Sequence, residues 1–179
     1  NTEAEPVGPG FDASCGIDTV KPSSQLDEIF PYWYVEPDRH VVINCSTASD
    51  SLSGLKRILL YYRYRIDNAS SWGPWRSFNA DTTSPWSWIF NFPKAKGFYQ
   101  FYSIAVDNAG NTEDSPTTPD NDTDCAYNSS KPYSEVDQIT PYWHSASLTI
   151  TVQATDFNGS GLMNVTLYYY YSSDNTTWS

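Results

Sequence analysis

Residues 131–143 read K-P-Y-S-E-V-D-Q-I-T-P-Y-W, and residues 21–33 read K-P-S-S-Q-L-D-E-I-F-P-Y-W. Lys, Pro, Ser, Asp, Ile and the closing Pro-Tyr-Trp coincide, so 8 of 13 positions are identical at an offset of 110. Unrelated stretches of this length share about one residue, so the offset is a ruler for the whole chain. It also aligns residues 1–15 with residues 111–125, with identities at Asn1, Thr2, Glu3, Pro6, Pro9, Asp12 and Cys15. A period this long predicts a domain-sized unit able to bury its own core. On this ruler the 179 residues divide in three. Residues 1–18 are expected to be the last strand of a preceding repeat plus linker. Residues 19–128 form a complete β-sandwich. Residues 129–179 begin a following repeat, open or completed by another segment, and the chain is expected to be cut from a longer array.

The composition fits an all-β protein. Aromatics make up 16 %, with 14 Tyr and 7 Trp, and charged residues only 17 %. Runs of strand formers are punctuated by Ser, Thr, Asn, Asp, Gly and Pro. Strands are expected near residues 24–29, 40–47, 56–66, 75–79, 85–92 and 98–106, and within 123–127. Along 40–47 and 56–66 the side chains alternate. Val41, Ile43, Cys45, Ile58, Leu60, Tyr62 and Tyr64 face inward, and Asn44, Leu59, Tyr61, Arg63 and Arg65 outward. The matching residues 107 positions on, among them Leu148, Ile150, Val152, Val165 and Leu167, are expected to face a second core. The Pro-Tyr-Trp ending at Trp33 is expected to anchor the linker against each sandwich.

A net charge of −11 argues against nucleic acid, whose phosphates need Lys and Arg. No stretch of 18 apolar residues exists, so no membrane span is expected. The opening Asn1-Thr2-Glu3 points to a removed leader or a fragment. Seven of the twelve Asn residues lie in Asn-x-Ser/Thr sequons: Asn44, Asn68, Asn121, Asn128, Asn158, Asn164 and Asn175. A Ser/Thr-rich composition explains part of this number. The excess predicts an extracellular chain carrying N-linked glycans, each on an exposed Asn.

Short signatures recur. Asp50-Ser51-Leu52-Ser53-Gly54-Leu55 is matched by residues 156–162, Asp-Phe-Asn-Gly-Ser-Gly-Leu. Asp107-Asn108-Ala109-Gly110-Asn111 follows the strand at 98–106, and Asn111-Thr112-Glu113 echoes Asn1-Thr2-Glu3. Together with Pro-Tyr-Trp, these resemble the immunoglobulin-like and fibronectin type III-like repeats of prokaryotic, above all archaeal, cell-surface proteins. The resemblance covers essentially the whole chain. It implies Ig-like β-sandwiches of about 110 residues in a beads-on-a-string array. It further implies a stalk, fibre or adhesive surface protein.

The turns have a physical reading of their own. Gly54, Gly110 and Gly161 permit positive φ, and the Asp and Asn side chains bond to nearby backbone. The alternative is a Ca²⁺ site built from Asp50, Asp107, Asn108 and Asn111, since hard cations take carboxylate and amide oxygens. Otherwise no cofactor is expected. Of the three cysteines, Cys15 and Cys45 are the preferred disulfide pair, with Cys45–Cys125 the alternative.

Trp72-Gly-Pro-Trp75, lying opposite Arg63 and Arg65, reads as packing plus a Trp–Arg ladder, with a sugar platform as the other possibility. Tyr61, Arg63, Arg65, Trp72 and Trp75 are the candidate interaction surface, and Tyr168 and Tyr170 add exposed Tyr to it. His40 and His144 stand alone, and no paired-acid, triad or phosphate-loop pattern is visible, so an enzyme is not expected. The resulting expectation is a structural, self-associating extracellular protein, a subunit or segment of a filament, stalk or coat. The alternative is an adhesin-type module that grips a glycan or host protein through its Trp/Tyr surface.

Overall fold

The computed structural model describes residues 15–117, 122–156 and 160–179. Its strands in chain order are β1 (Ser23–Gln25), β2 (Trp33–Val35), β3 (His40–Cys45), β4 (Thr47–Ser49), β5 (Leu55–Arg65), β6 (Arg76–Asp81), β7 (Trp86–Asn91), β8 (Lys96–Asp107), β9 (Thr123–Asn128), β10 (Tyr133–Val136) and β11 (Val152–Thr155). Seven of these fall on the expected β-rich runs. The two longest, β5 and β8, pair antiparallel from Leu55↔Asp107 to Arg65↔Phe98. They form the centre of a five-stranded sheet in the order β2-β9-β8-β5-β6. Two-stranded sheets β3–β7 and β1–β4 complete the packed unit, and β10–β11 is a separate hairpin.

The alternation of β3 and β5 sets the core. Val41, Ile43 and Cys45 are buried while Val42 and Asn44 are exposed, and Ile58 and Leu60 are wholly buried. Burial of one alternate set is what a strand with a single covered face dictates. These residues meet Trp88 and Phe90 from β7, Tyr99 and Phe101 from β8, and Cys125 and Tyr127 from β9. Phe90 lies at the middle, with ring centroids 5.0 Å from Phe101, 5.6 Å from Tyr99 and 4.9 Å from Tyr62. Its edge-to-face contacts add to the burial of large apolar area. The Tyr64 hydroxyl donates to the Lys96 carbonyl at 2.9 Å, drawing β5 against the start of β8. Gly97 has φ +138° there, and a Cβ would lie 2.6 Å from the Arg65 carbonyl oxygen and run into the Tyr64 ring.

Beside β9, β8 is only half covered. The β8–β9 ladder runs from Lys96↔Asn128 to Phe101↔Thr123 and stops. Beyond it, two carboxylates take the place of a strand. Asp122 accepts from the Ser103 amide at 3.0 Å, the Ser103 hydroxyl at 3.0 Å and the Leu26 amide at 3.1 Å. Glu113 accepts from the Ala105 amide at 2.8 Å, the Ser24 amide at 2.9 Å and the Ser24 hydroxyl at 2.6 Å. The β1 segment is thereby stitched to β8 by acidic side chains in place of ladder bonds. Scattered loop acids of this kind read from sequence as solvated surface.

The array of Ig-like beads is not what the chain forms. One core exists among the described residues, drawn wholly from Leu26 to Tyr127, and the molecule is a single all-β domain with four sheets. Among the described residues after 129, the copy of the repeat builds β10–β11 and no second core. Its apolar residues stay exposed, Val165 at 46 % and Leu167 at 51 %. Trp33 belongs to the domain's own sheet. It lies in β2, which pairs parallel with β9 (Trp33↔Ala126), and its ring stands edge-on to Phe98 at 5.6 Å. The expected last strand at residues 1–14 lies outside the described residues.

Glu113→Ala should cost about 2–3 kcal/mol of unfolding free energy, because it strands several amide and hydroxyl donors at once. Asp114→Ala removes an exposed ion pair with Lys21 and should cost less than about 1 kcal/mol. Urea denaturation of the two variants checks the contrast, and equal losses would show that Glu113 is not a substitute ladder.

Candidate metal centre

Three separate segments converge at the end of β8 remote from β9. Asp107 closes β8, Asp50 opens the β4–β5 turn, and Asp18 precedes β1. One carboxylate oxygen from each lies within 4.8 Å of the others. The local chain explains the approach. Asp50 Oδ2 accepts from the Leu52 amide at 3.0 Å and the Gly54 amide at 2.7 Å, folding the turn around its own carboxylate. Asp107 Oδ1 accepts from the Gly110 and Asn111 amides at 2.7 and 2.8 Å. Gly54 and Gly110 take φ +78° and +97°, the left-handed conformation these turns require. Asp18 Oδ2 receives the Ser53 amide at 2.9 Å and Oδ1 the Val20 amide at 2.9 Å. Bonds from Ser53 and from the Val20 amide hold the Asp18 carboxyl below the ordinary carboxylate range.

Asp107 is fully buried, and Asp50 Oδ1 is a buried oxygen with no hydrogen-bond partner. Like charges this close repel, and an orphaned anionic oxygen adds a desolvation cost. A hard cation relieves both. Oxygens bound on either side of Ca²⁺ at 2.3–2.6 Å are separated by at most about 5 Å, which matches the cluster. The three carboxylates therefore have the donors and spacing to chelate a divalent cation.

The expected ligand set changes in composition. Asp50 and Asp107 come together as anticipated, and Asp18 joins them. Asn108 and Asn111 act as fasteners through their amide nitrogens. Asn108 Nδ2 donates to the Ser53 and Gly54 carbonyls at 2.9 and 3.1 Å. Asn111 Nδ2 donates to the Asp18 carbonyl at 3.0 Å and to Asp107 Oδ2 at 2.8 Å. Asp18 was not legible as a ligand because nothing local marks it. Its partners are 32 and 89 residues away, the differences 50 − 18 and 107 − 18.

The outer face of the five-stranded sheet carries the aromatic and Arg residues in one ribbon. The Arg63 guanidinium lies 4.5 Å from the Trp75 ring and 5.1 Å from Trp72. Arg65 lies 4.6 Å from Trp72 and 5.1 Å from Phe98. Trp75 continues to Tyr102 at 4.5 Å, and Tyr102 stacks on Tyr61 at 4.9 Å. Arg63 Nε also donates to Gln100 Oε1 at 2.7 Å. The five residues of the candidate interaction surface are thus half-buried against one another. The ribbon roofs the outer face of β5, and on β8 the outward Tyr102, Ile104 and Val106 are buried as well.

The sequons divide. Asn44, Asn68, Asn164 and Asn175 are exposed, and Asn121 and Asn158 lie outside the described residues. Asn128 is 2 % exposed, with its Nδ2 directed to Asp156 and its Oδ1 accepting from the Ser130 amide. That nitrogen is not open to a glycan, because β9 and the chain after it enclose it. The expected Cys15–Cys45 disulfide is not formed. All three cysteines are free, Cys15 exposed and Cys45 and Cys125 inside the core. The inward alternation of β3 that buries Cys45 also turns it away from the surface where Cys15 lies. Burial pushes the Cys45 thiol from 9.0 up to about 11 and raises Cys125 further.

No family model, curated protein or solved structure matches this chain. The resemblance to prokaryotic surface repeats is thus carried by short turn motifs alone, and the single domain gives it no support.

Trp72→Ala removes the ring shared by both guanidinium groups and should lower stability by about 2–3 kcal/mol in thermal or urea unfolding. A loss no greater than that of Trp178→Ala would mean the ribbon does not stabilise the sheet. A thiol reagent at pH 8 should modify Cys15 at once and Cys45 and Cys125 only on unfolding. A thiol with a raised folded pKa stabilises the fold below its unfolded value. Cys45's share should therefore be intact below about pH 9 and be lost as pH climbs through about 11.

Proposed function

We propose that this chain is a structural extracellular domain, and that a Ca²⁺ ion held by Asp18, Asp50 and Asp107 fastens the incoming segment to the turns at one end of its sheet. The observation that carries this reading is the convergence of three carboxylates from three segments, one with a buried, unpartnered oxygen. An ion gripped by loops so far apart in sequence acts as a clamp, since it joins Asp18 to the β4–β5 and β8 turns at once. Ca²⁺ is favoured over Mg²⁺, because carboxylates already fixed by backbone bonds suit its looser coordination better than a strict octahedron. No helix among the described residues is long and apolar enough to cross a membrane. The four exposed sequons support an extracellular setting with N-linked glycans.

Self-association belongs to the same proposal. Tyr168 and Tyr170 are 85 % and 75 % exposed, and Trp143 is 85 % exposed. Large exposed apolar surface marks contact sites on soluble proteins. The adhesin-type alternative through Tyr61, Arg63, Arg65, Trp72 and Trp75 has less support. Those rings and guanidinium groups already spend their faces on one another.

Calorimetric titration and thermal melts in Ca²⁺, Mg²⁺ and chelator test the proposal. Ca²⁺ at a hundredfold excess over its Kd should raise stability by about 2.7 kcal/mol. Asp50→Asn should abolish the gain. An unchanged melting temperature in Ca²⁺ would refute the clamp. A sedimentation coefficient that stays monomeric at the highest soluble concentration would remove the self-association half.

A further inference from the structure

A recess opens between the large sheet and the β3–β7 sheet, at the end of β5 remote from the Asp cluster. It holds about 280 Å³. Its walls are Tyr62 and Tyr64 from β5, Pro74 and Arg76 at the start of β6, and Pro93 and Lys94 between β7 and β8. Every wall belongs to the packed domain.

The chain carries a net charge of −11, yet this recess gathers two cations and no carboxylate. The ion pairs among the described residues are Lys21–Asp114 and Arg39–Glu36, so neither Arg76 nor Lys94 is neutralised by one. The β5–β6 register sets Arg76 directly opposite Tyr62, and residues so paired share a sheet face. A cation is thereby held on the face that carries the core. The tyrosines are fixed in advance. Tyr62 stands edge-on to Phe90 at 4.9 Å. The Tyr64 hydroxyl is bonded to the Lys96 carbonyl, and the Tyr64 carbonyl accepts from the Gly73 amide at 2.9 Å. A Cβ at Gly73 would stand 3.2 Å from that carbonyl oxygen, so glycine lets the wall at residues 73–74 close on β5.

We propose that this recess binds an acidic sugar, a hexuronic acid or one unit of a uronic-acid polymer. Arg76 and Lys94 receive the carboxylate, the Arg fork being able to take both oxygens. The tyrosine hydroxyls serve the ring hydroxyls, and Pro74 and Pro93 meet the apolar face of the ring. A mostly apolar wall with a few placed polar groups is the usual make-up of a small-ligand site. An inorganic anion would use the cations alone and leave the tyrosines and prolines idle. Walls already set cost little to order on binding. This site is separate from the cation clamp.

The test titrates sodium glucuronate into the full chain at fixed ionic strength, followed by amide nuclear magnetic resonance shifts. Glucose, acetate and phosphate are titrated in parallel. Saturable shifts are expected at the amides of Tyr64, Arg76 and Lys94. Glucose lacks the charge and acetate the ring, and both should bind more weakly than glucuronate. Arg76→Gln and Lys94→Gln should each weaken glucuronate at least about tenfold, the loss of a hydrogen bond to a charged group. Both side chains are exposed, so the variants keep their fold, which unchanged shifts at Val41 and Ile43 confirm. Lys56→Gln removes an exposed cation at the far end of β5 and should bind as the parent does. Asp50→Asn should also leave binding unchanged, which separates this proposal from the clamp. Absence of saturable shifts, or undiminished binding when both cations are replaced, overturns it. Acetate or phosphate binding as tightly as glucuronate would reduce the recess to an anion patch and likewise overturn it.

Discussion

Strand β8 is bonded to β5 along nearly its whole length but to β9 only from Lys96 to Phe101. The rest of the architecture answers that asymmetry. A buried amide without an acceptor costs as much as a broken core contact, so the uncovered half of β8 must find partners. Asp122 and Glu113 supply them, and because each also binds the β1 segment, they fix where the chain enters the domain. Asp18 lies just ahead of that segment, next to the turn in which β8 ends. The convergence of the three carboxylates is therefore a consequence of how the free edge of β8 is finished.

The two faces of the large sheet are finished by different physics. The inner face is apolar, and its Ile58, Leu60, Tyr99, Phe101 and Tyr127 pack against Val41, Ile43, Trp88 and Phe90 of the β3–β7 sheet. On the outer face, half-buried Arg63 and Arg65 are layered with Trp72 and Trp75. Desolvation lowers the pKa of Arg63 from the ordinary guanidinium value, as expected for a cation pressed between indoles. An arrangement of this kind protects the sheet without offering an open platform. It favours a stabilising role for residues that look like a binding patch in the sequence.

Strand positions and facing were legible in the sequence because both follow from a period of two and from turn chemistry. Ile58 and Leu60 lie inward and Asn44 outward for that reason alone. The Asp50 and Asp107 turns were equally legible, since an Asp followed by Gly four residues on (Asp50–Gly54) or three (Asp107–Gly110) fixes its own geometry. The short parallel strand β2 was hidden inside Pro-Tyr-Trp, because three residues carry no alternation. Asp18, Glu113 and Asp122 were hidden because long-range carboxylate bonds have no local signature. The repeat misled for a related reason. Sequence similarity reports local course, and residues 129–179 do follow it in their turns and hairpin. A core needs all its layers, and among the described residues Val165 and Leu167 stay exposed.

A cation bound by Asp18, Asp50 and Asp107 should fasten the incoming segment to the β4–β5 and β8 turns. Amide hydrogen exchange of the full chain, in Ca²⁺ and in chelator, tests this directly. Slower exchange in Ca²⁺ is expected at Val20, Ser53, Gly54 and Gly110, whose amides bond to these carboxylates. Ser103 and Ala105 should stay protected in both conditions. Exchange at Ser53 and Gly54 that ignores Ca²⁺ would contradict the clamp.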